Sequence, residues 1–490
     1  MTILTESPSP ELATGSLAPL LAAAAEPCDG EHAAAVEQAA TLLDQACVHL
    51  PERRAQGLDP VARLRHLQGR LPARRGELYR DLLAIFAEFG DQHTQCYLPE
   101  PFGASVAFLP FVVRELWDDR GQPRLMVVSS AVETLRRGDL LLSWNGVAAE
   151  RALEEHMALQ LSANPEARRE KALQTLTFRP LAWLPPPASE IAVLECADAD
   201  GRRRQVRLDW QVASSAWLKQ HLTAALGEDG ETAGPLRADR VETSRGTFGY
   251  LRVGSFEARP APFLAACLAA LEDLPATGLI LDLRGCEKGL ITTGEQLLQL
   301  FTPDKIEPLR FQFRMTPLVK HLVRTCPALH DWREAVDAAE RRGEEYSAGL
   351  PLTTREEANG TGRKYFGPVL LLVDALTYST AEMVAAGFQD HGIGPVLGTT
   401  GRTGGGGGSP WSQSTIFKLS GDEAFRPLPR SPQLRVAVRR CQRAGTRAGQ
   451  PIEGVGVVPD GLHRPTRADR LEGDRDLMET AGRWLAEMGR

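Results

Sequence analysis

Residues 368–390 read PVLLLVDALTYSTAEMVAAGFQD. The run Val369–Val373 is continuously apolar, the pattern of a strand buried on both faces of a parallel sheet. Beyond Thr380 apolar residues return at three- and four-residue spacing, which predicts an amphipathic helix. Ser379 stands in the turn between them. A serine there can hold its hydroxyl at the end of the sheet. The first helical N–H groups, beginning with Thr380, can then face an oxyanion developing during acyl transfer. A second reading is structural: Ser379-Thr380-Ala381-Glu382 has the spacing of a capping box, in which Ser caps the helix and Glu reaches back. These residues alone leave both open.

The same alternation extends outward. Strand TFGYLRVGSF (247–256) leads to helix PFLAACLAALEDL (262–274), strand TGLILDLRG (277–285) to helix TGEQLLQLF (293–301), and strand GPVLGTT (394–400) follows the central helix. Such alternation predicts an α/β core over 241–490 with a buried sheet, a polar, helix-like insertion at 303–366 and a closing helix over 467–490. Upstream the rhythm differs. VAFLPFVV, PRLMVVSS and RRGDLLLSWNGV lie within 103–147, and EIAVLEC and RQVRLDW flank the turn Asp198-Ala199-Asp200-Gly201. Alternating strands with Gly-Asp and Asn-Gly turns predict a small β-rich domain over 101–212, with a helical insert at 148–176. Residues 213–240, containing Gly227 to Gly234, read as a linker. Residues 1–100 read as helical, with apolar periodicity at Ala33–His49 and Leu78–Phe89.

Composition narrows the function. The 490 residues carry a net charge of −7, which argues against a dedicated nucleic-acid binder. Eight Cys are scattered without a CxxC pair, so neither a disulfide scaffold nor a zinc site is expected, and no cofactor is called for. Residues 16–25 (SLAPLLAAAA) look like a short signal core, but the preceding residues carry Glu6 and Glu11 and no basic residue. No later run reaches the ~20 apolar residues of a membrane span. The expectation is a soluble, cytoplasmic protein, with an exported form as the alternative. The sequence leaves its oligomeric state open. Only seven of the 56 basic residues are Lys: 171, 219, 288, 305, 320, 364 and 418.

The segment 368–390 followed by GPVLGTTGRTGGGG resembles the tail-specific (C-terminal processing) serine peptidases and their relatives, the tricorn core proteases and the interphotoreceptor retinoid-binding protein. Other landmarks follow the family's order. GDQHT resembles the short His-Thr motif, GDLLLSWNGV the PDZ-like domain, YLRVGSF with LILDLRG the first core strands, and IEGVGVVPD the closing motif. The resemblance covers roughly 88–460. It implies an N-terminal helical region, a PDZ-like β domain and a crotonase-like α/β core. Ser379 would be the nucleophile, with Glu382 and Asp390 in supporting positions.

Tail-specific peptidases typically activate the serine with a Lys from a loop after the next strand. Here that loop is Gly401-Arg402-Thr403-Gly404-Gly405, without Lys. Arg402 cannot replace it, because guanidinium stays protonated at ordinary pH. Lys418 falls in the strand pattern after the glycine run, and Lys288 in the turn after LILDLRG. The tricorn-like branch uses instead a His ahead of the PDZ domain and a Glu from the closing motif. These fall on His93 and Glu453, with Gln92 where tricorn has a Ser. Ser379 would attack, His93 accept and return the proton, and Glu453 orient the base. His391 is the rival base. Unaided, His93 reads equally as a turn residue, and Glu453 as part of a structural Glu-Gly-x-Gly-Val turn.

In the family a backbone N–H from the turn after LDLR completes the oxyanion hole. Here the turn reads Leu283-Arg284-Gly285-Cys286-Glu287-Lys288-Gly289, which puts the donor at Lys288 or Gly289. The run Gly404–Gly408 lacks the Lys-Ser/Thr of a phosphate loop and reads as an active-site loop. The resemblance implies a serine peptidase acting on polypeptides, with chain ends captured by the PDZ-like domain through strand addition. The alternative is a catalytically inactive peptide- or ligand-binding protein on the same fold.

Overall fold

The computed structural model describes residues 3–5, 15–162, 164–218 and 235–489. Most of the expected linker, including Gly227 to Gly234, therefore lies outside the described residues. The chain forms two compact units: Met1–Leu161 with Arg168–Asp229 and Pro410–Ala437, and Ser162–Ala167 with Gly230–Ser409 and Val438–Arg490.

The first unit begins with helices Ala18–Ala25, Gly30–Ala46, Leu50–Ala55, Pro60–Gly69 and Arg75–Phe89. Asp29 starts the second of these by accepting from the Glu31 and His32 N–H groups, and His32 reaches back through Nδ1. Gly90 ends the last in a left-handed conformation that glycine adopts without a Cβ penalty. A PDZ-like sheet follows, in which Phe111–Trp117, Pro123–Ser130, Leu140–Trp144, Ile191–Ala197 and Arg203–Asp209 pair in that order, all antiparallel. The Asn-Gly signal holds: Asn145 and Gly146 both have positive φ, and Ser143–Ala148 and Trp144–Val147 face each other across the turn. Such a two-residue turn matches the twist of the strands it joins. Lys418 lies on helix Gln413–Ser420 of this unit rather than on a strand. Ser412 caps that helix by accepting from the Thr415 N–H, a local signal that outweighs the apolar alternation.

The second unit is the α/β core. Its sheet runs Leu236–Thr243, Gly246–Val253, Leu279–Asp282, Val369–Val373, Val396–Gly398, Gly461–Leu462. Only the first pair is antiparallel; the rest are parallel. All five residues of Val369–Val373 are buried, as a strand covered on both faces requires. Ile280, Leu370 and Leu372 point to one face and pack on Leu477, Ala481 and Leu485 of the closing helix Arg475–Met488. Helices Ile291–Leu298 and Thr380–Asp390 pack closely through glycines. A Cβ at Gly294 would come within 2.8 Å of Val384 and Thr380, and one at Gly387 within 2.5 Å of Leu298. The stretch 303–366 contains helices Pro317–Thr325 and Arg333–Arg342, but also strand Arg310–Phe313, which pairs antiparallel with Arg439–Gln442. Among the described residues no helix is long and apolar enough to cross a membrane.

Candidate active site

The turn at the end of Val369–Val373 is built by Asp374. Its Oδ1 accepts from the N–H groups of Leu376 and Gly285, both at 3.0 Å, and lies 3.1 Å from Thr377 Oγ1. The chain then reaches Ser379 with φ 57° and ψ −125°. A non-glycine residue in that region costs on the order of 1–3 kcal/mol and persists only where its surroundings hold it. Those surroundings are the turn 285–289. The Tyr378 N–H donates to Cys286 O at 3.0 Å, and Thr380 Oγ1 donates to Gly289 O at 2.8 Å.

The capping box does not form. The Ser379 carbonyl accepts from the Met383 N–H, so the residue opens helix Thr380–Asp390, but its side chain makes no capping hydrogen bond. Glu382 does not reach back either. Fully buried, it accepts from Thr403 Oγ1, from the Gly405 N–H at 2.7 Å and from the Gly406 N–H at 2.6 Å. Burial pushes its carboxyl up to about 7, with those donors and Arg443 opposing.

The glycine run is thus a braced loop. Glu382 holds its first half, and Glu453 holds its second by accepting from the Gly407 N–H at 2.9 Å. The closing motif zips against it: the Gly454 N–H donates to Gly405 O, the Val457 N–H to Thr403 Oγ1, and the Thr403 N–H to Val457 O. Asn164 adds a side-chain bond to Thr403 O at 2.9 Å. Only glycine fits at 406, where a Cβ would lie 2.0 Å from the Tyr378 ring.

In the turn 285–289 the Lys288 side chain is exposed and pairs with Glu257. Its backbone N–H is directed to the buried Cys286 thiol. Gly289 has φ 149° and bridges to Phe256, with an added Cβ falling within 2.5 Å of that residue. Its N–H and that of Thr380 donate to no acceptor among the described residues. The two residues are joined by the Thr380 Oγ1 bond. Together they offer two backbone donors beside Ser379, the chemical requirement of an oxyanion hole.

His93 belongs to the first unit and is 4% exposed. Asp91 shapes its turn, accepting from the His93 N–H at 2.7 Å and from Thr94 Oγ1 at 2.7 Å. An Asp91 oxygen lies 3.6 Å from His93 Nδ1. Burial pulls the imidazole down to about 4 against the attraction of Asp91, with Arg435 and His49 adding to the fall. His93 is therefore neutral at ordinary pH. The Gln92 carbonyl accepts from Arg435. Asp390 and His391 sit at the far end of the Ser379 helix, roughly 16 Å away at 1.5 Å per residue. Asp390 is held there by Arg443 and Arg447, and His391 Nε2 accepts from the Glu307 N–H at 3.3 Å. Three contributors went unnoticed in the sequence: Asp374, Asp91 and Thr403. The first two had a signal, an Asp two or three residues ahead of a Thr or His, which is the spacing of an Asx turn. Thr403 had none.

Residues 247–461 match the family model of peptidase family S41. The match covers the α/β core, somewhat less than half of the chain. The matched segment holds the strand–serine–helix turn and most of the parallel sheet, and the family it matches is one of peptidases. Among solved structures, mature CPAF superposes with a TM-score of 0.71 at 17% identity, over 93% of this chain and 97% of that one. CPAF complexed with lactacystin gives 0.71 at 18%, over 93% and 98%. A serine-to-alanine mutant of CPAF gives 0.72 at 17%, over 93% and 97%. At these identities the likeness concerns the fold. No curated protein matches the chain.

Proposed function

We propose that this chain is a serine peptidase of the S41 type that cleaves polypeptides through an acyl-enzyme, with Ser379 as nucleophile, His93 as base and Glu453 as the acid assigned to orient the base. The observation that carries the reading is the Ser379 turn: a positive φ, no capping bond and two backbone donors at Thr380 and Gly289. A serine that merely capped the helix would have no need of that strain. In the first half-reaction Ser379 Oγ attacks the scissile carbonyl while its proton passes to the imidazole. The oxyanion is held by the two N–H groups, and the imidazolium then protonates the leaving amine. Water repeats the sequence to release the acyl group.

The choice of histidine rests on the absence of Lys from 401–405 and on the neutral state of His93, which keeps a lone pair available. Asp91, next to Nδ1, favours the tautomer in which Nε2 is the acceptor. Glu453 also braces Gly407, so its loss is expected to disturb the loop as well as the base. A cytoplasmic location and a polypeptide substrate presented by its C-terminus complete the proposal.

The test is labelling with a fluorophosphonate probe. Wild type should label, Ser379→Ala should not, and His93→Ala should label at least 100-fold more slowly. Equal labelling of all three would remove the mechanism.

A further inference from the structure

Arg179 sits on the short strand Phe178–Pro180, paired with Ala107 in a three-stranded sheet of the first unit. Its side chain is part of the wall of two cavities in that unit. One, of about 550 Å³, is mostly apolar and includes Leu21, Leu83, Leu98 and Phe102. The other, of about 280 Å³, includes Trp144, Glu155 and His156. Leu159, Arg179, Pro187 and Ala188 line both.

What sets Arg179 apart is the lack of an acid. Among the described residues no carboxylate pairs with it. Its Nη2 lies 3.4 Å from His156 Nδ1, its guanidinium stands 5.5 Å from the centroid of the Trp210 ring, and its Nε is buried without a hydrogen-bond partner. His156 provides no compensating charge. Burial and the neighbouring guanidinium pull its imidazole down to about 3, so it is neutral, and its Nε2 is 2.9 Å from Thr175 Oγ1. Glu155 is engaged with Arg151 at 3.2 Å. Burial lowers Arg179 to about 10, which leaves it charged at neutral pH. Arg179 is half-buried with its Nε withdrawn from water; a charge so placed gains from a partner, and a guanidinium holds a carboxylate through two parallel N–H bonds.

We infer that the Arg179 cavities form a binding site for an amphiphilic monocarboxylate: the carboxylate pairs with Arg179 and the apolar body enters the larger cavity. The volume is that of small-molecule sites, which run from roughly 300 to 1,000 Å³. The consecutive Pro185, Pro186 and Pro187 form a stiff wall that needs little ordering when a ligand arrives. The same chemistry is offered by an alkyl carboxylic acid and by the apolar C-terminal residue of a peptide.

The full chain should be titrated with decanoate and with decanol, following tryptophan fluorescence, because Trp210 lies against the guanidinium. Decanoate is expected to bind at least 10-fold more tightly than decanol. Arg179→Gln should remove that preference by weakening decanoate at least 10-fold while decanol binding stays the same. Ala188→Trp, at the exposed position shared by both cavities, keeps the charge and should weaken both ligands, which covers the case of an Arg179 variant that fails to fold. A hydrophobic tetrapeptide as free acid and as C-terminal amide separates the two sources. Binding of the acid form only, lost in Arg179→Gln, assigns the site to chain ends, and decanoate binding alone assigns it to small acids. Decanoate affinity unchanged by Arg179→Gln, or no binding by any of these carboxylates at millimolar concentration, overturns the inference.

Discussion

At the scale of single residues, burial sets the charge of acids and histidines within each unit. Glu382 and Glu295 are both pushed up to about 7, while His93 and His156 fall to about 4 and 3. The two kinds have opposite consequences for stability. A carboxyl whose native pKa exceeds its usual 4.5 holds a proton that the unfolded chain has lost. Its contribution is therefore complete below about pH 4.5 and is lost as pH rises to 7. A histidine depressed from 6.5 to about 4 refuses a proton that the unfolded chain accepts. Its contribution is complete above pH 6.5 and is lost as pH falls towards 4. The stability difference between wild type and Glu382→Gln should accordingly fall by about 3 kcal/mol between pH 4.5 and 7. For His93→Gln the difference should change in the opposite direction, rising from pH 4 to 6.5. Urea unfolding at a series of pH values measures both. A flat difference for Glu382→Gln would mean that its carboxyl titrates normally. Ser379 and His93 are singled out at this scale by motif order alone. The strain at Ser379 and the true partners of Glu382 were not legible there, because a capping box and a loop brace share the same four-residue spelling.

At the scale of elements, the turn 285–289 and the glycine run are two pieces of backbone whose shape is dictated by close approach. Gly289 lies against Phe256, whereas Gly285, also at positive φ, has only Arg252 Nη2 near its missing Cβ, at 3.7 Å. The two glycines should therefore respond differently. Gly289→Ala must push the turn off Phe256 and displace an N–H donor, so the labelling rate should drop by about 10²–10³. Gly285→Ala meets no clash and should cost about 1–2 kcal/mol from its left-handed backbone, with labelling retained. Labelling rates and thermal midpoints of the two variants together separate the effects, and equal rates would exclude Gly289 as a donor. The alternation of strands and helices was readable here because buried parallel strands are short and apolar and helices are periodic. Strand Arg310–Phe313 was missed inside its polar surroundings. Four residues are too few to establish a period, and only the pairing with Arg439–Gln442 makes them a strand.

At the scale of the molecule, the α/β core is closed by the helix Arg475–Met488. Leu485 is fully buried against the sheet with Leu477 and Ala481. Leu485→Ala should cost about 2–5 kcal/mol in chemical unfolding while leaving the pH dependence of labelling as in wild type. A loss of labelling at temperatures where the variant remains folded would instead tie that helix to the chemistry. The sequence by itself determined the α/β alternation, the antiparallel strands of the first unit and the absence of Lys from 401–405, since each is written in local periodicity or in residues of one short segment. Tertiary structure alone decided that Glu382 braces the loop rather than the helix, that Asp91 is the acid beside His93 Nδ1, and that Arg179 carries a charge with no acid opposite. Each of these depends on where separate segments come to lie and on how much water is excluded around them, and burial converts such placement into charge state and hydrogen-bond demand.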